Sequence, residues 1–145
     1  MKHKIIQASA VLLILILMAG IRAVGTEIFY DPLIAYFKGD FQKAPLPDLE
    51  LFKYSIHMFL RFALNSLLTL ALIWIIFRNK QHIQFTGLAL LALGTLLCVG
   101  FVILYPNASN SNYQSIFYIR RILIHPVLMF IFIPSLYFLD QKTNT

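Results

Sequence analysis

This 145-residue chain has few charged side chains and few of the residue combinations that mark soluble enzymes. Charged residues make up 12% of the sequence, compared with about 25% in an average soluble domain. The single cysteine, Cys98, excludes an intramolecular disulfide framework and a cysteine-based zinc site. There is no HExxH motif, no glycine-rich phosphate loop and no interleaving of basic and aromatic residues of the kind that stacks nucleic-acid bases. We therefore predict no cofactor, no metal and no nucleic-acid partner.

Apolar sequence dominates the chain instead. Hydrophobic residues make up 59% of it, and the mean hydropathy is +0.76. A helix that spans a bilayer needs about 20 mostly apolar residues. These runs predict an all-α membrane protein, a single integral membrane domain over residues 1–145, with four transmembrane helices at approximately Ile5–Val24, Tyr54–Phe77, Phe85–Tyr105 and Phe117–Phe138.

The basic residues outside these spans predict the orientation of the chain. They cluster before the first span, between the second and third, and after the fourth, at Lys2, Lys4, Arg78, Lys80 and Lys142. With four spans these segments share one face, and the positive-inside rule makes that face cytoplasmic. Both termini are then cytoplasmic, and the outer segments are Gly25–Lys53 and Pro106–Ile116.

The first span has some features of a signal peptide, because basic residues precede it and small residues lie between Ala19 and Gly25. The apolar run Ile5–Ile21 is long for a signal peptide, however, and Arg22 interrupts the would-be cleavage region. We therefore expect an uncleaved anchor. Cleavage would leave three spans and an outer amino terminus.

The first outer segment carries five of the six acidic residues and a possible short helix. Asp31 matches an N-cap, Pro32 the first helical position, and Gly39 the residue just past a helix end. This pattern predicts an amphipathic helix in the outer interface, with an aromatic-rich loop as the alternative. Residues 44–47 are expected to run extended, and Asp48 to cap the second long helix.

Seven polar side chains lie near the outer ends of the predicted spans: Arg22, His57, Arg61, Asn65, Arg120, Arg121 and His125. Ionisable groups at membrane depth are costly and mark either a functional site or a structural polar core. His57, Arg61 and Asn65 recur every four residues and therefore share one helix face, and Arg121 and His125 have the same spacing. Arg120 points about 100° away from Arg121. We predict that this cluster binds acceptor groups in the outer half of the membrane.

A guanidinium keeps its proton, so each arginine needs acceptors. One possible set is the acidic outer segment, above all Asp31, Glu27 and Asp40, with Asp31 the expected internal counter-ion. Lipid phosphate is the second, and it suits Arg22 and Arg120 best because their side chains can reach the headgroups. A carboxylate of a partner protein, which Arg binds in a planar bidentate manner, is the third.

Two prolines interrupt the fourth predicted span. Pro126 and Pro134 each remove a backbone donor and crowd the carbonyl four residues earlier, which adds acceptors near His125. The simplest interpretation is two ordinary transmembrane kinks.

An enzymatic alternative centres on Cys98, which lies at a depth similar to the two histidines. A thiol with a histidine base and an arginine that stabilises an oxyanion is a possible acyl-transfer site, as in a membrane cysteine peptidase or transpeptidase. No hydroxyl residue or nucleophile-elbow motif flanks Cys98, and a lone membrane cysteine is usually a packing residue. We therefore favour a protein that is not an enzyme.

Four ordered sequence blocks resemble the exosortase F system-associated membrane protein family: Phe29–Leu33, Ala44–Pro47, Arg61–Ser66 and Phe117–Pro126. The resemblance covers nearly the whole chain. It implies a small multi-spanning protein of the bacterial inner membrane in Bacteroidetes, mainly flavobacteria, encoded beside exosortase F. Exosortases are membrane enzymes thought to process carboxy-terminal sorting signals at the outer face of that membrane, with Cys, Arg and His in their proposed active site.

The resemblance implies an accessory role and not a protease. Cys98 lies outside the resembling blocks, and the family more typically has Gln at the position of His125. The expected partners are exosortase F and membrane lipids. The expected assembly residues are Arg61, Asn65, Arg120, Arg121, His57, His125, Arg22 and Asp31.

Overall fold

The computed structural model describes residues 2–39, 44–109 and 112–143, and all regular structure within these residues is helical. Six helices lie in them: α1 (Lys2–Ile28), α2 (Leu33–Lys38), α3 (Leu51–Phe77), α4 (Lys80–Leu104), α5 (Tyr113–Ile124) and α6 (Met129–Thr143). The prediction of an all-α protein is confirmed for this part of the chain.

Three helices are long and apolar enough to cross a membrane. They are the segment His3–Gly25 of α1, together with α3 and α4. Helices α5 and α6 have the required length and composition only as a pair, and their axes diverge by 62°. The chain therefore has the character of a multi-pass membrane protein with three spans, or four if the bent pair crosses as one.

The predicted fourth span is not one continuous helix. The chain leaves the helical conformation between Ile124 and Met129, and His125 is extended with φ −103° and ψ 148°. A residue that precedes proline favours this conformation, and Pro126 has no N–H to continue the helical hydrogen bonds. The prediction of an ordinary kink at Pro126 is therefore wrong. Pro134, in contrast, lies inside α6 without ending it.

Helix α3 is the centre of the bundle. It packs against α1, α4 and α5, and α4 also packs against α5. It starts at Leu51, after Glu50 at the N-cap position, and no side chain caps it, so the prediction that Asp48 caps this helix is wrong. At 27 residues it is about 40 Å long, more than the roughly 30 Å of hydrocarbon that it would cross.

A left-handed residue makes the sharp turn from α3 to α4. Arg78 has φ 51°, and its N–H donates to the Trp74 carbonyl at 3.0 Å. Asn79 then caps α4, because its side-chain oxygen accepts the Gln81 N–H at 2.9 Å. At this same end His82 pairs with Asp140 at 2.7 Å and thereby joins α4 to α6.

Most of the buried apolar side chains lie in the half of the bundle that carries the arginines. Leu33 of α2 is fully buried there among residues of α3, α4 and α5, including Tyr54, Phe101 and Ile116. A smaller cluster towards the other end contains Met18 of α1 and joins it to α3 and α6. The short helix α2 is thus part of the packed core and not a loose connection.

Candidate functional site

A single buried carboxylate joins two arginines from different helices. Asp31 Oδ2 accepts a hydrogen bond from Arg61 Nη1 at 2.8 Å and another from Arg120 Nη2 at 2.7 Å. Only 2% of the Asp31 side chain is exposed, with 5% for Arg61 and 11% for Arg120. Asp31 is therefore the internal counter-ion of these two arginines, as predicted. We call Asp31, Arg61 and Arg120 the arginine–aspartate triad.

Asp31 reaches the arginines because it does not cap α2. Pro32 occupies the N-cap position, and no side chain caps this helix, so the predicted N-cap role of Asp31 is wrong. The carboxylate instead makes two charge-assisted hydrogen bonds, which are stronger than a bond to one backbone amide. Gly39 follows the last helical residue as predicted, and its N–H donates to the Tyr36 carbonyl.

Aromatic side chains enclose the triad. Arg120 Nε donates to the hydroxyl of Tyr54 at 3.0 Å, and Tyr54 is only 1% exposed. The guanidinium carbon of Arg61 lies 5.1 Å from the centre of the Phe29 ring, and that of Arg120 lies 5.6 Å from the Phe37 ring. Cation–π attraction at these distances partly replaces the hydration that the buried guanidiniums have lost.

Gly25 of α1 makes room for Arg61. A Cβ atom built on Gly25 would overlap the Arg61 guanidinium, so a side chain at this position would displace it. The sequence alone did not identify Gly25, because nothing in it shows which residue of another helix lies opposite. In the sequence, Tyr54 was identified only as the first residue of the second span, and its hydrogen bond to Arg120 joins residues that are 66 positions apart.

Asn65 binds the end of the broken helix. Its Nδ2 donates to the carbonyl of Ile124 at 2.9 Å, and the contact is buried. Ile124 is the last residue of α5, and the helical donor of its carbonyl is lost where the chain breaks. The sequence correctly placed Asn65 among the buried polar residues, but in this structure its donor group serves the chain itself.

His57 lies one helical turn from Arg61 but does not join the triad. Its ring centroid is 6.2 Å from that of Phe29 and 6.4 Å from that of Tyr30. Its Nδ1 is buried, with no hydrogen-bond partner among the described residues. The spacing of four residues therefore places His57 on the same helix face as Arg61. Its neighbours there are aromatic rings and not the Asp31 carboxylate.

Neighbouring arginines on α5 have opposite environments. Arg120 faces the interior, whereas Arg121 is exposed, with its guanidinium carbon 6.0 Å from the Phe117 ring centroid. The interpretation that Arg120 reaches lipid phosphate stays a prediction, because the bonds to Tyr54 and Asp31 use only two of its three guanidinium nitrogens. Arg121 holds the outward position. Arg22 is also exposed, and neither it nor Arg121 has an ion-pair partner within the described ranges.

The described acids of the outer segment other than Asp31 form no ion pair with these arginines. Glu27 is exposed and forms no ion pair in the described part of the chain, and Asp40 lies outside the described residues. The triad itself combines two positive charges with one negative charge. Asp31 Oδ1 is buried and has no described partner, so the carboxylate bonds both arginines through one oxygen.

Cys98 is half-buried on α4 and packs against the main core cluster. No hydrogen bond joins it to either histidine among the described residues, and within those residues no three His, Cys, Asp or Glu side chains are grouped to hold a metal ion. The catalytic alternative for Cys98 remains an untested prediction.

Two tyrosine hydroxyls hold the extended segment that precedes α3. Tyr105 donates to the Pro47 carbonyl, and Tyr36 donates to the Ala44 carbonyl, each at 2.8 Å. Burial raises the pKa of Tyr105 to about 12, and burial with the nearby Tyr113 raises the pKa of Tyr36, because burial disfavours the phenolate. Both hydroxyls therefore stay protonated as donors at neutral pH.

No protein-family model, curated protein or solved structure matches this chain. Function is accordingly inferred from the geometry around the triad and from the sequence blocks that contribute to it.

Proposed function

We propose that this chain is a non-catalytic accessory membrane protein of an exosortase F protein-sorting system. The observation that carries the proposal is the arginine–aspartate triad, which binds the outer segment to the bundle through a buried carboxylate. Well-packed apolar side chains often stabilise a fold as well as a buried ion cluster does. We infer that the triad is present because it fixes the position of α2 and its flanking segments, and a surface that is already ordered binds a partner at lower entropic cost.

The resembling sequence blocks support this proposal, because they converge on the same end of the molecule. Asp31, Arg61 and Arg120 each lie in a different block. The remaining block, Ala44–Pro47, is held at both of its ends by the hydroxyls of Tyr36 and Tyr105. Cys98 lies outside all four blocks, which favours assembly over catalysis.

The proposed location is the bacterial inner membrane, with both termini in the cytoplasm. The triad then lies in the outer half of the membrane, and α2 lies in the outer interface as an amphipathic element. This is the side on which an exosortase is expected to process its sorting signals. The proposed partner surface is formed by α2 and by residues 44–50, which lead into α3.

Affinity purification tests the proposal. The tagged chain is solubilised gently from native membranes, with a cross-linked sample in parallel, and the proteins that accompany it are identified by mass spectrometry. We expect exosortase F in stoichiometric amounts. Its absence from both the native and the cross-linked sample would contradict the proposal.

Two substitutions test which part of the molecule assembles. Asp31→Asn should lower the recovery of exosortase at a temperature where the variant is still folded, whereas Glu27→Gln, which removes an exposed acid of α1 outside that surface, should not. Equal recovery with both variants would contradict the role of the triad. Cys98→Ala should leave protein sorting intact, and loss of sorting by a normally expressed Cys98→Ala protein would favour the peptidase alternative.

A further inference from the structure

A cleft opens between α1 and the break that separates α5 from α6. Its volume is about 460 Å³, which is within the size range of small-molecule sites. One end is basic, lined by Arg22, Arg120, Arg121 and His125. A neighbouring cavity of about 310 Å³ shares three of these residues and adds Lys38 and Arg61. The bend at Pro126 helps to form the cleft, because Pro126 and the residue after it line the wall.

The basic end of this cleft has more positive charge than the described acidic residues neutralise. Among the described residues, no acidic side chain lines either cavity. Asp31 balances only one of its two arginines, while Arg22 and Arg121 have no ion-pair partner in the described part of the chain. Coulombic attraction therefore favours an anion here.

Unused hydrogen-bonding groups also face this end. Arg120 uses Nε for Tyr54 and Nη2 for Asp31, which leaves Nη1 without a hydrogen bond to any described residue. Nδ1 of His125 is buried and likewise has no described partner. Three guanidiniums beside one imidazole provide the planar donors that bind phosphate oxygens well.

The other end of the cleft is apolar. Leu15 and Met18 of α1 line it together with Phe130 of α6. On α1 this surface continues into Leu12 and Ile16, each of which is more than half exposed. In a membrane-spanning helix such exposed apolar residues face hydrocarbon, so the cleft joins a basic headgroup-level end to an acyl-chain environment.

We propose that this cleft binds one phospholipid of anionic headgroup. The headgroup phosphate lies among Arg22, Arg120 and Arg121, and an acyl chain lies along Leu15, Met18 and Phe130. Inorganic phosphate would use only the basic end, and a peptide carboxylate would leave the apolar end unfilled. Lipid binding at this site is independent of the protein partner proposed above.

Thermal unfolding of the purified full chain in a neutral detergent tests this site, because a ligand of the folded state raises its unfolding temperature. The probes are dioctanoyl phosphatidylglycerol, dioctanoyl phosphatidylcholine with the same chains, inorganic phosphate and a short peptide with a free carboxylate. We expect the affinity for phosphatidylglycerol to be about tenfold higher than for phosphatidylcholine, because only the former has a net negative headgroup.

Matched variants locate the binding. Arg22→Gln and Arg121→Gln are exposed positions outside the triad, and each should weaken phosphatidylglycerol binding about tenfold. Lys53→Gln removes the same charge from an exposed position that does not line the cleft and should change nothing. Ala19→Phe fills the apolar part and should weaken lipid binding, whereas Ala8→Phe, on the same helix outside the cleft, should not.

Three outcomes would overturn the proposal. Equal stabilisation by the two lipids would show that the cleft does not distinguish a negatively charged headgroup from a neutral one. If inorganic phosphate binds as tightly as phosphatidylglycerol, the acyl chain contributes nothing and the cleft is a simple anion site. Stabilisation by a peptide with a free carboxylate, without an effect of phosphatidylglycerol, would assign the cleft to a protein ligand.

Discussion

The guanidinium of Arg61 occupies the space that a side chain at Gly25 would fill. Gly25 therefore leaves room for the Arg61 guanidinium between α1 and α3 at the level of the triad. The position of Arg61 thus depends on the missing side chain at Gly25, and the ion pair between Arg61 and Asp31 depends on that position.

Gly25→Ala should lower the thermal stability of the protein in detergent. The methyl group would push Arg61 away from Asp31, and overpacking of this kind costs about 1–3 kcal/mol. Gly20→Ala is the control on the same helix, because a Cβ atom there meets nothing within 4 Å. Equal unfolding temperatures for the two variants would show that Arg61 moves aside without cost.

Asp31→Asn should destabilise the fold more strongly. Arg61 and Arg120 would then share a buried site without a counter-ion, and removal of one partner from a buried ion pair costs about 3–5 kcal/mol. Adding Arg61→Met to Asp31→Asn removes one of the unpaired charges and should restore part of the lost stability. If the double variant is less stable than Asp31→Asn alone, charge imbalance is not the cause.

The sequence predicted the long helices and the identity of the counter-ion, because both depend on local composition. Apolar runs are sufficient to locate α1, α3 and α4, and Asp31 lies in an acidic segment that must return towards the arginines. The inward orientation of Arg120, in place of Arg121, depends on how α5 is rotated about its axis. That rotation brings Arg120 into contact with Tyr54 and Asp31, which are 66 and 89 residues away from it in sequence.

The break at Pro126 shows a second limit of sequence reasoning. Pro126 and Pro134 have the same local chemistry, yet only Pro126 lies where α5 ends. The difference lies in tertiary contacts, because Asn65 of α3 provides a donor for the carbonyl of Ile124 and so stabilises the helix end. Neither that partner nor the 62° bend is encoded in the spacing of residues along α5.

Asn65→Ala should lower stability because it leaves the Ile124 carbonyl buried without a donor, which costs about 1–3 kcal/mol. Asn107→Ala is a matched control. Asn107 Nδ2 also donates to a helical carbonyl, that of Ile103 at 3.0 Å, but the contact is exposed and water can replace it. Thermal unfolding should therefore show a larger loss of stability for Asn65→Ala than for Asn107→Ala. Similar losses of stability would contradict the helix-end role of Asn65.

Pro126→Ala should reduce the bend between α5 and α6, because it restores a backbone donor and removes the steric conflict with the carbonyl of Ile122. Spin labels at the exposed positions Tyr118 and Tyr137, in a Cys98→Ala background, report the change as a longer distance in pulsed electron paramagnetic resonance. Pro134→Ala should leave that distance unchanged, since α6 is already continuous there. An unaltered distance in the Pro126→Ala protein would assign the bend to tertiary contacts alone.

The triad also joins residues that leave the ribosome at different times. Arg61 follows Asp31 by 30 residues, whereas Arg120 follows it by 89. Because chains emerge from the amino terminus onward, a nascent chain holds Asp31 with one arginine and leaves the Tyr54 hydroxyl without its donor until α5 has been inserted. Formation of the second ion pair therefore marks the point in biogenesis at which α5 has joined the bundle, and a product truncated before α5 would retain an unfinished charged cluster.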